Sequence, residues 1–177
     1  MLVGAIPERV RWTVANMAVR PGDRLLEIGC GRGAAVSLVC DRLRSGQITA
    51  IDRSLTMVKF AEQRNAEHVA AGRAVFQTTA LDAADLPARK FDKVFAVNVN
   101  LFWVRSSASD LEIVRRLLKP SGAMFLTYEP PTPGRAEAIA GRIAGFLTEQ
   151  RFEVTTTYGT THRSALVSLV AKPVPGR

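Results

Sequence analysis

Arg24-Leu25-Leu26-Glu27-Ile28-Gly29-Cys30-Gly31-Arg32-Gly33 is the stretch that decides the fold class. Leu25 to Ile28 has the length and apolar content of a short buried strand, and three glycines at alternate positions follow it. Glycines between a strand and a helix let the backbone turn sharply and approach a ligand with no Cβ in the way. The helix that follows carries Val36, Val39, Cys40 and Leu43 at the spacing of one buried face. A second strand, Gln47 to Ile51, then ends at Asp52. In an open α/β sheet, ligands bind beyond the carboxyl ends of the strands, so the glycine run and Asp52 point into one crevice. An acidic side chain there can accept both hydroxyl hydrogens of a ribose, which implies a nucleoside ligand. A glycine-rich turn with an acidic strand end also arises in alternating folds without a ligand.

Outward from this stretch the alternation continues. A first helix is expected from Pro7 to about Met17, with Pro at its first helical position. Ser54 is placed to cap the helix that turns Leu55, Val58 and Ala61 inward, and Ala74 to Gln77 or Thr78 is a third strand. Phe91 to Val99 is nearly continuous in apolar residues, as befits a central strand. Ser109-Asp110-Leu111-Glu112 reads as a capping box opening a helix to Leu118, which Pro120-Ser121-Gly122 stops, with Lys119 at its negative end. Ala123 to Tyr128 is a fifth strand, and a helix follows Pro130-Pro131-Thr132-Pro133-Gly134 to about Gln150. Phe152 to Tyr158 and Ala165 to Ala171 are close enough in sequence to form an antiparallel hairpin. The expected fold is α/β: a Rossmann-like, seven-stranded, mostly parallel sheet with helices on both faces and an antiparallel C-terminal hairpin strand. One domain over residues 1–177 is expected, with 1–20 an N-terminal helix and lid over a nucleoside-binding core at 21–177.

Composition narrows the function. The chain has 177 residues, 47% of them hydrophobic and 23% charged, the profile of an ordinary globular domain. Two cysteines, Cys30 and Cys40, are too few for a disulfide framework or a four-ligand zinc site. No apolar run approaches about 18 residues, and the N-terminus lacks a signal peptide's long apolar region, so a soluble, cytoplasmic protein away from membranes is expected. Lys plus Arg number 24 against 16 Asp plus Glu, a formal net charge of +8. That balance favours anionic partners such as RNA, but the basic residues are dispersed, which suits a solvated surface better.

The nucleoside is narrowed by Glu27. Gly29-x-Gly31-x-x-Ala34 also satisfies a dinucleotide fingerprint, but a carboxylate two residues before the first glycine would repel a pyrophosphate. It suits instead the ammonium of an amino-acid moiety. The absence of a catalytic Tyr-x-x-x-Lys pattern likewise weighs against a nicotinamide-dependent reductase.

The chain resembles a class I S-adenosylmethionine-dependent methyltransferase. Glu27 to Gly33 resembles that family's first motif, and Ile51-Asp52-Arg53-Ser54 with Met57 its second. Leu81-Asp82-Ala83-Ala84-Asp85-Leu86-Pro87 resembles the segment that reads the adenine. Phe91 to Asn98 is similar to the fourth strand, and Leu117 to Gly122 to the turn before the fifth. The resemblance implies S-adenosylmethionine as methyl donor, released as S-adenosylhomocysteine. By position it implies that Gly29, Cys30, Gly31 and Gly33 contact the methionine part and that Glu27 orients its amino group. Asp52 would hold the ribose hydroxyls, Arg53 and Met57 would pack on the adenine, and Asp82, between Leu81 and Ala83, would accept from its amino group. Asn98 would sit nearest the sulfonium and the acceptor, as both a cofactor-binding and a catalytic candidate. Glu129, leaving the fifth strand, is the second catalytic candidate, as proton acceptor or cation binder. Tyr128 beside it is a candidate for stacking on the acceptor, and the aromatic pair Phe102-Trp103 either lines an apolar acceptor pocket or packs under the neighbouring helix.

Several chemistries fit poorly. Asn98-Val99-Asn100-Leu101 is not the Asn-Pro-Pro-Tyr type signature of enzymes that methylate adenine or glutamine amino groups. Neither cysteine is placed to attack a cytosine, and no carboxylate beside Asn98 supports a metal-dependent catechol type. His68 and His162 read as solvated. The expected activity is direct in-line methyl transfer to a small organic molecule, with no metal. RNA methylation and a non-catalytic S-adenosylmethionine-binding module stand as alternatives. A homodimer is compatible with so short a chain, whose acceptor site is open, covered by the helix carrying Trp12 and Met17, or completed by a partner subunit.

Overall fold

The structure is a computed structural model that describes residues 5–100, 107–130 and 134–175. Phe102, Trp103 and the Pro131-Thr132-Pro133 segment lie outside the described residues. By its internal contacts the chain divides into two compact units, residues 1–85 and 86–177.

In the first unit, strand β1 (Arg24–Ile28) buries its last four residues, Leu25 to Ile28, as a strand covered on both faces must. It pairs in parallel with β2 (Gln47–Asp52), which pairs in parallel with β3 (Ala74–Thr78). Helix α1 (Glu8–Asn16) takes Pro7 as its N-cap rather than as its first helical residue and packs against α2 (Ala34–Cys40). Met17, at the C-cap of α1, is buried in the core. Val36, Val39 and Cys40 of α2 are fully buried, and Leu43 is buried just beyond the helix end. Each such aliphatic side chain contributes about 1.5–3 kcal/mol.

Ser54 caps α3 (Leu55–Arg64) as expected, its hydroxyl accepting from the Met57 N–H at 3.3 Å. Val58 and Ala61 face inward, but Leu55 is 55% exposed: first in the helix, it precedes the stripe that meets the sheet. Short α4 (Ala66–Ala70) carries His68, whose Nε2 stands 3.9 Å from the Asp41 carboxylate and whose Nδ1 is 3.3 Å from the Arg73 guanidinium. The expected solvated histidine is therefore half-buried among charged neighbours. A 3₁₀ turn, Leu81–Ala83, ends the unit.

In the second unit, β4 (Phe91–Val97) pairs in parallel with β5 (Leu118–Tyr128). It stops two residues short of the expected Val99 because Asn98 enters the left-handed region at φ +55°. Helix α5 (Ala108–Leu117) opens at Ser107, whose hydroxyl accepts from the Asp110 N–H at 3.3 Å. The capping serine is thus two residues ahead of Ser109, which sits inside the first turn. Ser107→Ala is expected to cost about 1 kcal/mol in chemical denaturation, and Ser109→Ala a few tenths at most. The expected helix stop at Pro120-Ser121-Gly122 is instead the start of β5, whose register with β4 shifts between Phe91 and Lys93 to accommodate those residues. Lys119 does not cap the helix; its Nζ lies 2.8 Å from both carboxylate oxygens of Asp92.

Helix α6 (Ala136–Glu149) packs on the hairpin of β6 (Phe152–Thr160) and β7 (Ala165–Pro173). β7 pairs antiparallel with both β5 and β6. The strand order is β3-β2-β1-β4-β5-β7-β6, a seven-stranded, mostly parallel, Rossmann-like sheet with antiparallel C-terminal strands. No helix among the described residues is long and apolar enough to cross a membrane.

Candidate functional site

In the first unit the polypeptide leaves β1 through a loop whose glycines all take positive φ: +73° at Gly29, +50° at Gly31 and +71° at Gly33. The loop is tied to β2, since the Gly29 and Cys30 N–H groups both donate to the Ile51 carbonyl, at 2.8 and 3.1 Å. Gly33 is forced by contact as well as by conformation. A Cβ there would lie 2.6 Å from Asn65 Nδ2 and 2.9 Å from the Ala61 Cβ. At Gly31 a Cβ would meet nothing within 4 Å, so this side of the loop opens onto free space.

Asp52 organises the opening. Its Oδ2 accepts from the Gly31 N–H and its Oδ1 from the Ser54 N–H, each at 2.9 Å. The carboxylate therefore holds the middle of the glycine loop and the start of α3 in one frame. Each oxygen has a second lone pair, so capacity remains for two further donors.

Glu27 is 4% exposed, and its Oε2 has no hydrogen-bond partner. Burial, with the charge of Asp52 as a smaller contribution, lifts its carboxyl well above the ordinary carboxylate range. A buried carboxylate oxygen lacking a donor is costly unless a cation or donor arrives to meet it. Cys30 is buried too, its thiol pushed upward by burial and then by Glu27 and Asp52, so it stays protonated and is no nucleophile. Burial is also the main reason the Cys40 thiol is raised, to about 12.

The remaining candidates in this unit lie further out. Arg53 is exposed and Met57 half-buried in the first turn of α3. Leu81 is buried, while Asp82 and Ala83 are exposed on the 3₁₀ turn. Arg32 stacks its guanidinium 4.5 Å from the centre of the Phe60 ring.

Asn65 went unnoticed in the sequence. Its amide, 1% exposed, donates to the Gly33 carbonyl at 3.0 Å and the Ala61 carbonyl at 2.9 Å, and accepts from the Ser37 hydroxyl at 2.8 Å. It staples α3 to the end of the glycine loop. Asn65→Ala removes three buried bonds, while the Gly33 and Ala61 carbonyls keep the Ser37 and residue-65 N–H groups as donors, and is expected to lower the unfolding free energy by about 2–4 kcal/mol in a urea titration.

In the second unit the two catalytic candidates are directly bonded. The Asn98 N–H donates to the Thr127 carbonyl at 2.8 Å, and its Oδ1 accepts from the Glu129 N–H at 2.7 Å. Glu129 Oε1 accepts from the Ser164 hydroxyl at 2.5 Å and the Thr161 hydroxyl at 3.2 Å. Both hydroxyls belong to the turn between β6 and β7, where His162 is exposed. Tyr128, expected to stack on the acceptor, is 1% exposed and so offers no open ring face, and burial raises its phenol.

Comparison with known proteins agrees with this topology. Residues 25–122, more than half of the chain, match the family model described as a methyltransferase domain. The chain is 29% identical over 120 residues to an uncharacterized methyltransferase, YdaC, of Bacillus subtilis (strain 168), covering 68% of this chain and 64% of that protein. It is 33% identical over 136 residues to a ubiquinone biosynthesis O-methyltransferase of Xanthomonas campestris pv. campestris (strain B100), covering 76% of this chain and 55% of that one. The chain thus spans less than two thirds of the length of these relatives. The crystal structure of a SAM-dependent methyltransferase from Aquifex aeolicus superposes with a TM-score of 0.74 at 15% identity, covering 92% of this chain and 88% of the other. With its sheet order, its glycine loop and the family match over residues 25–122, the chain belongs to the class I S-adenosylmethionine-dependent methyltransferase family.

Proposed function

We propose that the protein is an S-adenosylmethionine-dependent methyltransferase acting on a small organic molecule. The buried Glu27 oxygen without a partner, in the strand that feeds an open glycine loop, carries this reading. An ammonium is the group that suits it, and an α-amino acid attached to a nucleoside supplies one beside a ribose for Asp52. The residues present therefore fit S-adenosylmethionine: Glu27 takes the ammonium, the bare Cα atoms of the Gly29–Gly33 loop leave room for the methionine part, and Asp52 takes the ribose hydroxyls. Arg53, Met57, Leu81, Asp82 and Ala83 are assigned to the adenine by position. When bound, this donor supplies a methyl group on a sulfonium, already activated for displacement.

The protein's task in such a reaction is mainly to hold the partners in line, worth about 7–11 kcal/mol of barrier. Asn98 and Glu129 are assigned to the acceptor side. The small-molecule reading is supported by relatives named as O-methyltransferases of ubiquinone biosynthesis and of nocamycin. The test is transfer of label from methyl-labelled S-adenosylmethionine to a metabolite panel and, in parallel, to bulk RNA. Label in a small acceptor is expected. Label in RNA alone would overturn the acceptor class, and binding without transfer to anything would favour a pure binding module.

A further inference from the structure

We propose that the outer edge of β6 is a self-association surface, on which two copies of this chain pair their β6 strands antiparallel about a two-fold axis at Thr156. The surface lies wholly within the second unit and is independent of the methyltransferase reading.

β6 ends the sheet, with β7 its one neighbouring strand among the described residues. The Arg151 carbonyl accepts from the Val174 N–H at 2.9 Å, and the Thr161 N–H donates to the Ser164 carbonyl at 2.8 Å, at the two ends of the β6–β7 ladder. The register between them is unbroken, so the odd-numbered residues turn their main-chain groups to β7. Phe152, Val154, Thr156, Tyr158 and Thr160 therefore turn their N–H and C=O groups to the open edge. Such an edge is a template for another strand, and is ordinarily blunted by shortness, lysine, proline or a bulge. β6 has none of these. It runs nine residues, pairs without a register shift, and carries Glu153 as its only charge. Its threonines, with Val154 and Tyr158, are strong strand formers.

A second copy is the occupant this edge fits. Identical strands paired across a two-fold axis present the same surface to each other and run antiparallel. Rotation about Thr156 pairs the whole of β6, and each outward residue exchanges both of its bonds with an outward residue of the other copy. The same rotation sets Val154 of each copy opposite Tyr158 of the other, a favourable β-branched and aromatic pair. Tyr158 is 53% exposed in the single chain and becomes covered in the pair. The charges agree with this direction. Exposed Glu149 and Glu153 bracket the start of β6 and exposed Arg163 follows its end, while the Arg151 guanidinium is turned to the Pro175 carbonyl at 3.4 Å. Antiparallel pairing brings the acidic end of each strand beside the basic end of the other, a match that favours this partner and this direction.

Sedimentation velocity of the whole protein from about 1 μM to 1 mM is the test, and a reversible dimer is expected. Thr156→Pro removes an outward N–H at a position where an edge strand tolerates proline, and Thr156→Lys sets two like charges opposite each other at the axis. Each is expected to raise the dimer Kd at least about tenfold, with the melting temperature near that of the wild type. Should the proline variant unfold, the lysine variant, which keeps the N–H, decides the matter. Thr156→Cys is expected to form a disulfide-linked dimer under mild oxidation, since paired Cα atoms there lie about 5.5 Å apart. Thr160→Cys, set opposite Phe152 and far from its own twin, is not. The native Cys30 and Cys40 are buried and do not compete. A monomer at every concentration overturns the proposal, even one that takes up an extended peptide of another protein along β6. A dimer unaffected by Thr156→Lys overturns it too, as does cross-linking through Thr160→Cys but not through Thr156→Cys.

Discussion

Asp52→Ala is expected to weaken S-adenosylhomocysteine binding by about 3–6 kcal/mol, from two hydroxyl bonds to a charged acceptor at about 1.5–3 kcal/mol each. Its second effect is on the frame, because the same carboxylate holds the Gly31 and Ser54 N–H groups at 2.9 Å. Losing it frees the middle of the loop, so binding must then also order that loop. Asp52→Asn, which keeps one acceptor oxygen, is expected to fall between the two. Calorimetric titration checks both variants, and an affinity unchanged in Asp52→Ala removes Asp52 from the site.

Glu27→Gln is expected to move stability and binding in opposite directions. In the free protein the Glu27 carboxyl is lifted above its ordinary value of 4.5, mainly by burial and then by Asp52. The folded state therefore holds a proton that the unfolded chain has lost, and the wild type loses stability as pH rises from about 4.5 through the raised value. The neutral amide escapes that penalty. The variant is expected to be more stable by about 1–2 kcal/mol at neutral pH, with the advantage vanishing as pH falls below the ordinary carboxylate range. Ammonium binding needs the ionised carboxylate, so the variant binds S-adenosylhomocysteine about 2–4 kcal/mol more weakly. For the same reason wild-type affinity rises with pH until Glu27 is ionised in the free protein. Denaturation curves and calorimetry across pH 4.5–8.5 measure all three effects. A variant both less stable and equally tight in binding would contradict this role.

Much of the fold was legible because its signals are local. Leu25 to Ile28 and Gly29 to Gly33 state a strand and a loop within nine residues, Ser54 caps the helix it precedes, and the last two strands lie close enough to pair. The misreadings occur where a tertiary contact outweighs a local preference. Ser107 and Ser109 are equal as capping residues in isolation, and the entry of the chain into α5 selects the first. Pro120-Ser121-Gly122 resembles a helix stop but is absorbed as an irregular start to β5. Val99 extends an apolar run, yet β4 ends where Asn98 turns to meet Glu129.

The same division holds for the site. Glu27, the glycines and Asp52 fall in two adjacent βα units, so their spacing is readable, and the structure bonds Gly31 to Asp52 directly. Asn65 reaches Gly33 across 32 residues, and Ser164 reaches Glu129 across 35. No periodicity or motif announces such pairs. An amide at a helix end and two hydroxyls in a hairpin turn are ordinary residues until the chain is folded around them.

The pairing of buried Glu27 with an ammonium is tested most directly by titrating the wild-type protein with S-adenosylhomocysteine and with 5′-methylthioadenosine, which keeps the nucleoside but lacks the amino acid. Tighter binding of S-adenosylhomocysteine by at least about 2 kcal/mol, with the difference mostly abolished in Glu27→Gln, is the expected result. Equal affinity for the two ligands, or a difference that survives Glu27→Gln undiminished, would contradict it.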